Sequence, residues 1–410
     1  MLTQYFQPEP MFKGLPLAKA FRDAGHDVEV LTGYPNYPGG TVYEGYKIRP
    51  WQRELMEGIP VNRVPLYPSH DRSGARRILN FISFSGSAFL LGPWRVQRPD
   101  VIYVYNLVTL ATVARWMRMI WGCKVVVDVQ DLWPESVASS GMLRSRVAMW
   151  ILSSYCDRQY RKSDGLVVLS PGFKDNLVRR GVSPGIIRVV YNWCDETAIR
   201  VAKAEPDMAV RFGMAGRFNI VFAGTMGRLQ GLDVVVKAAR RLQDRLPGVL
   251  FTLVGGGVDV PRLKAESDGL SNVQFLPRMP MSEIGGIYSV ADALLVHLRD
   301  EEIFRSTVPS KIQAYMHAGK PVLCGVRGDA ANLIKEARCG LTFAPDDAEG
   351  LIAVVEQLVA MTEQERTQMG ESGSRFYRNH ISECHGVTKI LDVLAESVGS
   401  EGKNEGDVFG

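Results

Sequence analysis

Apolar residues in this chain gather into short uninterrupted runs, and the stretches between the runs carry apolar positions at helical spacing. In the first half the runs lie at 28–31, 101–105, 124–129, 165–169 and 187–191; in the second they lie at 220–223, 250–254, 273–276, 293–297 and 321–324. Runs that are apolar throughout, rather than alternating, predict strands buried on both faces, as in a parallel sheet. Gln4-Tyr5-Phe6 reads as the end of one more strand. Leu17, Ala18, Phe21 and Ala24 share a helical face that Gly25 closes, and Val235, Val236, Ala239 and Leu242 share another after Leu232. Strand and helix alternate on both sides of Asn192-Trp193-Cys194-Asp195. That order predicts an α/β protein with two Rossmann-like, doubly wound parallel-sheet domains. The expected division is an N-terminal domain over 1–192, a C-terminal domain over 193–373, a closing helix over 374–399 and a disordered polar tail over 400–410.

Some stretches depart from the alternation. Residues 34–49, rich in Gly, Pro and Tyr, read as a surface loop or as a substrate-binding one. Residues 78–91 are an apolar run flanked by Arg76-Arg77 and Trp94-Arg95. The run falls short of the roughly 20 residues that cross a bilayer. It reads either as a core helix or, near 76–95, as a segment lying in a membrane interface. Residues 113–121 repeat the theme with Arg115, Trp116, Arg118 and Trp121.

Composition is that of an ordinary globular protein, but charge adds to the picture. The net charge of +4 hides an asymmetry: residues 1–195 hold 24 Lys and Arg against 16 Asp and Glu, and the remainder 24 against 28. The basic half predicts a negative partner such as phosphate or anionic lipid. No nucleic-acid-binding module is present. Six scattered cysteines without a C-x-x-C pair, and no secretory leader pattern at the start, predict reduced thiols and a cytoplasmic setting. The six histidines show no zinc spacing.

Three places carry candidate chemistry. Ser306 to Pro321 reads as a helix opening at Pro309, with Ser310 and Lys311 in its first turn and Gly319 as its stop. Such a start is either an ordinary capped helix or an anion site, where free N–H groups, the helix dipole and a lysine suit phosphate. Gly224-Thr225-Met226-Gly227-Arg228 forms a glycine-rich turn between a strand and a helix, a second place for a phosphate. Asp131 and Glu135 follow the strand 124–129, where ligands of parallel sheets sit. For Asp131 the alternative is a capping role.

With these motifs in order, the sequence resembles glycosyltransferase family 4 over nearly its whole length. The matching stretches are Gln4-Tyr5-Phe6 with Pro8-Glu9, Gly25-His26-Asp27-Val28, Tyr34-Pro35-Asn36-Tyr37-Pro38 and Asp131-Leu132-Trp133-Pro134-Glu135-Ser136. They continue with Gly224 and Gln230-Gly231-Leu232, Val308-Pro309-Ser310-Lys311, Gly319-Lys320-Pro321 and Cys339-Gly340-Leu341. The combination is similar to the bacterial branch that builds O-antigen, capsule and exopolysaccharide, such as N-acetyl-fucosamine transferases. The resemblance implies the GT-B fold, its two domains facing a cleft, and a retaining, metal-independent transfer from a UDP-sugar to a lipid-linked glycan acceptor at the inner face of the cytoplasmic membrane. It implies that Gly224, Thr225, Met226, Gly227, Ser310 and Gln313 bind the donor, that Arg228 and Lys311 act in catalysis by stabilising the leaving diphosphate, and that Arg278 meets the nucleobase. On the acceptor side it implies Lys13, Gly14 and Glu135, with Asp131 near the reacting carbon, orienting the acceptor or taking its proton. No D-x-D motif occurs, in keeping with metal independence. The sequence departs from the family where two glutamates usually stand: Ser306 and Ala314 occupy those positions. Gln230 replaces a lysine and Gln130 a histidine. The departures motivate a second expectation, a non-catalytic nucleotide-binding scaffold in a polysaccharide assembly complex.

Overall fold

A computed structural model describes residues 1–69, 74–139, 145–199 and 206–399. The tail 400–410, expected to be disordered, lies outside the described residues. The chain divides into two compact units, Met1–Val190 with the chain from Val387 onward, and Tyr191–Gly386.

The first unit holds strands β1 (Leu2–Thr3), β2 (Val30–Gly33), β3 (Gln52–Met56), β4 (Ile59–Val64), β5 (Val101–Tyr105), β6 (Lys124–Val129), β7 (Gly165–Val168) and β8 (Ile187–Val189). Its helices are α1 (Leu15–Asp23), α2 (Gly74–Arg95), α3 (Val108–Trp121), α4 (Glu135–Ser139), α5 (Arg146–Arg161) and α6 (Pro171–Arg179). The sheet order is β3-β4-β2-β1-β5-β6-β7-β8, parallel except for the β3–β4 pair. Glu57 and Gly58 join that pair with φ of 46° and 84°, the double positive φ of a two-residue hairpin turn. Helix α2 sends Phe84 and Ala88 into the core beneath the sheet, so it is a packed helix along one face. Its neighbour α3 buries Leu110, Ala111, Val113, Ala114 and Met117.

The second unit holds α7 (Pro206–Arg211), β9 (Phe218–Thr225), α8 (Asp233–Arg245), β10 (Val249–Gly256), α9 (Val260–Glu266), β11 (Val273–Leu276), α10 (Met281–Val290) and β12 (Ala293–His297). It continues with α11 (Ser310–His317), β13 (Val322–Gly325), α12 (Asp329–Ala337), β14 (Gly340–Thr342), α13 (Ala348–Ala360) and α14 (Glu363–His380). The order β11-β10-β9-β12-β13-β14, all parallel, is the doubly wound arrangement: β10 and β11 are added on one side of β9, and β12 to β14 on the other, so the strand order switches between β9 and β12. Helix α8 shows why the sequence folds this way: Val235, Val236, Ala239 and Leu242 face the core while Arg240, Arg241 and Arg245 stay outside.

The single helix expected over 374–399 is instead the end of α14 and a separate helix, α15 (Glu383–Gly399). Ile381, buried, closes the first of these, and from Val387 the second belongs to the first unit.

Candidate active site

In the second unit the site is built where β9 and β12 part. These strands pair only at Ile220–Ala293 and Val221–Leu294, while β9 runs on to Thr225. Beyond the last pair the backbone of β9 needs another partner, and α11 supplies it. The buried Tyr315 hydroxyl accepts the Ala223 N–H at 3.1 Å. One turn earlier Lys311 lies with Nζ 4.8 Å from the Phe222 ring centroid, against Gly224. A Cβ at Gly224 would come within 2.6 Å of Lys311 Cε, so the two expected phosphate elements, far apart in sequence, are in contact. Burial pushes the Lys311 ammonium below the usual lysine pKa, and no carboxylate pairs with it among the described residues. No side chain caps the start of α11, where Ser310 is exposed. This is a concentration of unneutralised positive charge at a switch point, suited to an anion.

The turn after β9 is held from below by a second glycine-rich turn, Gly255-Gly256-Gly257. Met226 N–H donates to Gly256 O at 2.8 Å. A Cβ at Gly255 would run into Gly224 O, and one at Gly257 into Met226 O. In the sequence these glycines carry the same signal as Gly224, a glycine run at the end of an apolar strand. From the side, His297 fixes the turn. Its Nε2 accepts from Asp346 N–H at 2.9 Å, so its Nδ1 carries the proton donated to Gln230 O at 2.7 Å. Burial lowers its pKa and keeps the ring neutral. Arg299 is committed to Asp346, at 2.6 Å, and to Asp233. Arg228 and Thr225 stay exposed. Gln230, in the place of a family lysine, accepts the Gly227 N–H at 2.9 Å and caps the turn.

Two residues expected at the donor face inward instead. Met226 is fully buried in the core, and its amide is used by Gly256. Gln313 is also buried: with its amide nitrogen turned inward it donates to Pro309 O at 2.9 Å and Ser310 O at 3.0 Å, so it braces the first turn of its own helix. Arg278 is exposed beyond the end of edge strand β11, two strand spacings or roughly 10 Å from β9.

In the first unit the loops beyond β1, β2, β5 and β6 are knotted by buried polar groups. Glu9 accepts N–H groups from Phe6 at 2.8 Å and from Asn36 and Tyr37 at 2.7 Å each, while burial raises its carboxyl pKa. Asn80 of α2 donates to Tyr67 O at 2.7 Å and accepts from Gln4. Asp131 follows directly, exposed at its rim yet sunk deeply enough for desolvation to raise its pKa. Lys13 corrects its expected role. Its side chain is 0% exposed and pairs with Asp128 at 2.9 Å, so it is not turned to a phosphate. Asp128 also accepts from Tyr103 and, at 2.5 Å, from Gln130 Nε2, so the pair anchors the backbone leading to Asp131. Gly14 likewise serves the fold: Gln7 Oε1 occupies the space of a Cβ there and accepts the Leu15 N–H at 2.5 Å, capping α1. Glu135 is engaged by Asn176 at 3.2 Å and Arg180 at 3.4 Å, tying α4 to α6. Among the described residues no cluster of three His, Cys, Asp or Glu side chains is placed to hold a metal ion.

Comparison with known proteins agrees with both halves. The family described as Glycosyl transferase 4-like domain matches residues 15–193, and Glycosyl transferases group 1 matches residues 217–361. WcaI of Escherichia coli K12, assigned as a colanic acid biosynthesis glycosyl transferase, is 27% identical over 87% of this chain and 92% of its own length. WbjE of Pseudomonas aeruginosa, assigned as a glycosyltransferase, is 25% identical over 64% of this chain and 67% of its own. Among solved structures, Anabaena HepE in complex with UDP and glucose is similar in fold at 16% identity, with a TM-score of 0.66 over 96% of this chain and 98% of its own. Two doubly wound sheets and a match to a glycosyltransferase family in each half converge: the chain is a GT-B glycosyltransferase of family 4.

Proposed function

We propose that this glycosyltransferase moves a sugar, N-acetylated in the branch it resembles, from a UDP-sugar to a polyprenyl-diphosphate-linked acceptor in bacterial surface glycan synthesis, with retention at the transferred carbon and without a metal ion. The observation that carries the reading is Lys311, partly buried against Gly224 at the divergence of β9 and β12 with no carboxylate partner among the described residues. As the bond from the sugar's anomeric carbon to the diphosphate breaks, negative charge grows on the departing oxygen. Lys311, the start of α11 and Arg228 stabilise that charge, the part a divalent cation plays in other transferases. The bond to the acceptor oxygen forms on the same face of the sugar, and the acceptor proton passes to the departing phosphate or to Asp131, whose raised pKa suits it to accept one. Arg278, at the edge of the same sheet, is assigned to the nucleobase. The enzyme works at the inner face of the cytoplasmic membrane; among the described residues no helix is long and apolar enough to cross it.

The test is transfer of label from a panel of UDP- and GDP-sugars into organic-extractable lipid, with and without EDTA. EDTA-resistant transfer from one UDP-sugar is expected; transfer from GDP-sugars alone, or transfer abolished by EDTA, would overturn the reading. The second reading, a nucleotide-binding scaffold, is favoured by Ser306 and Ala314, where the family carries carboxylates. UDP binding without transfer to any lipid acceptor is its expected outcome.

A further inference from the structure

Helices α2, α3 and α5 pack side by side in the first unit, α3 touching both others. Phe89 stacks on Trp116 at 5.0 Å, and Thr112 bonds Tyr155 at 2.5 Å. The face of α2 turned away from the core shows Leu79, Ile82, Gly86, Leu90 and Trp94 to solvent, and no charge stands between Arg77 and Arg95. A surface helix ordinarily places polar residues there. On α5, Val147, Trp150 and Ile151 are exposed at helical spacing, and on α3 so are Met119 and Ile120. Trp94 is 79% exposed and Trp150 71%. The three helices together carry eight arginines (three, two and three), no lysine and one acidic residue, Asp157, which is itself paired with Arg180.

We infer that this three-helix face is a membrane-docking surface that inserts Leu90, Trp94 and Trp150 among the headgroups of an anionic bilayer. The inference deepens the membrane association proposed above by naming its surface. Apolar and indole side chains gain by leaving water, and the arginines ringing them are drawn to anionic headgroups. Charge complementarity selects this occupant over a second copy of the chain, which would set arginines against arginines, although Arg118 is paired with an acid of its own, Asp164. Helix α5 adds a point of attachment that the run at 76–95 alone does not supply.

The full chain is floated with phosphatidylcholine vesicles with and without phosphatidylglycerol, and its size in their absence is measured by light scattering. Wild type is expected to float with the anionic vesicles, less so as salt rises, with tryptophan emission shifting to the blue. Trp94→Glu with Leu90→Glu, and separately Trp150→Glu, should each weaken vesicle binding by more than about tenfold while circular dichroism and UDP affinity stay at wild-type values. Because UDP affinity is read on the same samples, failure of the docking surface is distinct from failure of the donor site. Wild type absent from anionic vesicles, variants floating like wild type, or a dimer that the variants dissolve would each overturn the inference.

Discussion

At the scale of residues, two lysines near helix starts have opposite fates. Lys311 is partly buried with no counter-charge among the described residues, and desolvation depresses its pKa. Between its folded and unfolded pKa values the unfolded chain holds the proton and the folded chain does not, so stability rises with pH there; below that interval the charged lysine costs stability. A bound diphosphate reverses the preference, so donor affinity should fall as pH rises through the folded value. Lys311→Met should therefore melt at the wild-type temperature or above it at neutral pH, yet bind UDP at least about tenfold more weakly, as calorimetry of both would read. Lys311→Ala should slow transfer by about 10²-fold or more, the range of a lost transition-state charge contact. Lys13 is the contrast: removing one partner of its buried pair, Lys13→Met, should cost about 3–5 kcal/mol in urea unfolding, and adding Asp128→Asn should return part of it. The sequence did not separate the two lysines, because the carboxylate that claims Lys13 lies 115 residues away. Glu135 shows the same separation, its partner Arg180 lying 45 residues away at the end of α6.

At the scale of elements, legibility followed burial. Strands such as Val101–Tyr105 and Ala293–His297 match their apolar runs residue for residue, since a strand buried almost throughout leaves few polar positions to blur its ends. Strand β3 escaped notice because it is an edge strand reading Gln-Arg-Glu-Leu-Met, none of it buried. Strand β14, three residues long, is too short to leave a pattern. The site shows the same division: the glycine turn at 224 was legible, while its support at 255–257 is a matter of two backbones touching. That contact is testable. Gly257→Ala places a Cβ against Met226 O at a φ of 155°. It should displace the 224–227 turn, costing about 1–3 kcal/mol of stability and weakening UDP binding more than it weakens the fold, with chemical denaturation and titration giving the two numbers.

At the scale of the whole molecule, two cores imply two unfolding events. If the donor site is as proposed, UDP at the β9–β12 switch point should stabilise the second unit, by about 2.7 kcal/mol at a hundredfold excess over Kd. Differential scanning calorimetry should show one transition moving with UDP and one standing still. Both moving together would place nucleotide on both units.

The return of α15 to the first unit bears on how the protein is made. Tyr191–Gly386 is one uninterrupted stretch whose ends are already joined: Trp193 packs on Gly386, Cys194 N–H donates to the Tyr377 hydroxyl at 3.2 Å, and Glu196 accepts from Glu383 N–H at 2.9 Å. The first unit lacks that closure. Gly165 of β7 packs under Ser397 and Val393, residues of α15 that are synthesised after the whole of the second unit. The half that is synthesised first is thus the half that must wait, its β7 face uncovered until the rest of α15 arrives, while the later half has every piece it needs once Gly386 has emerged.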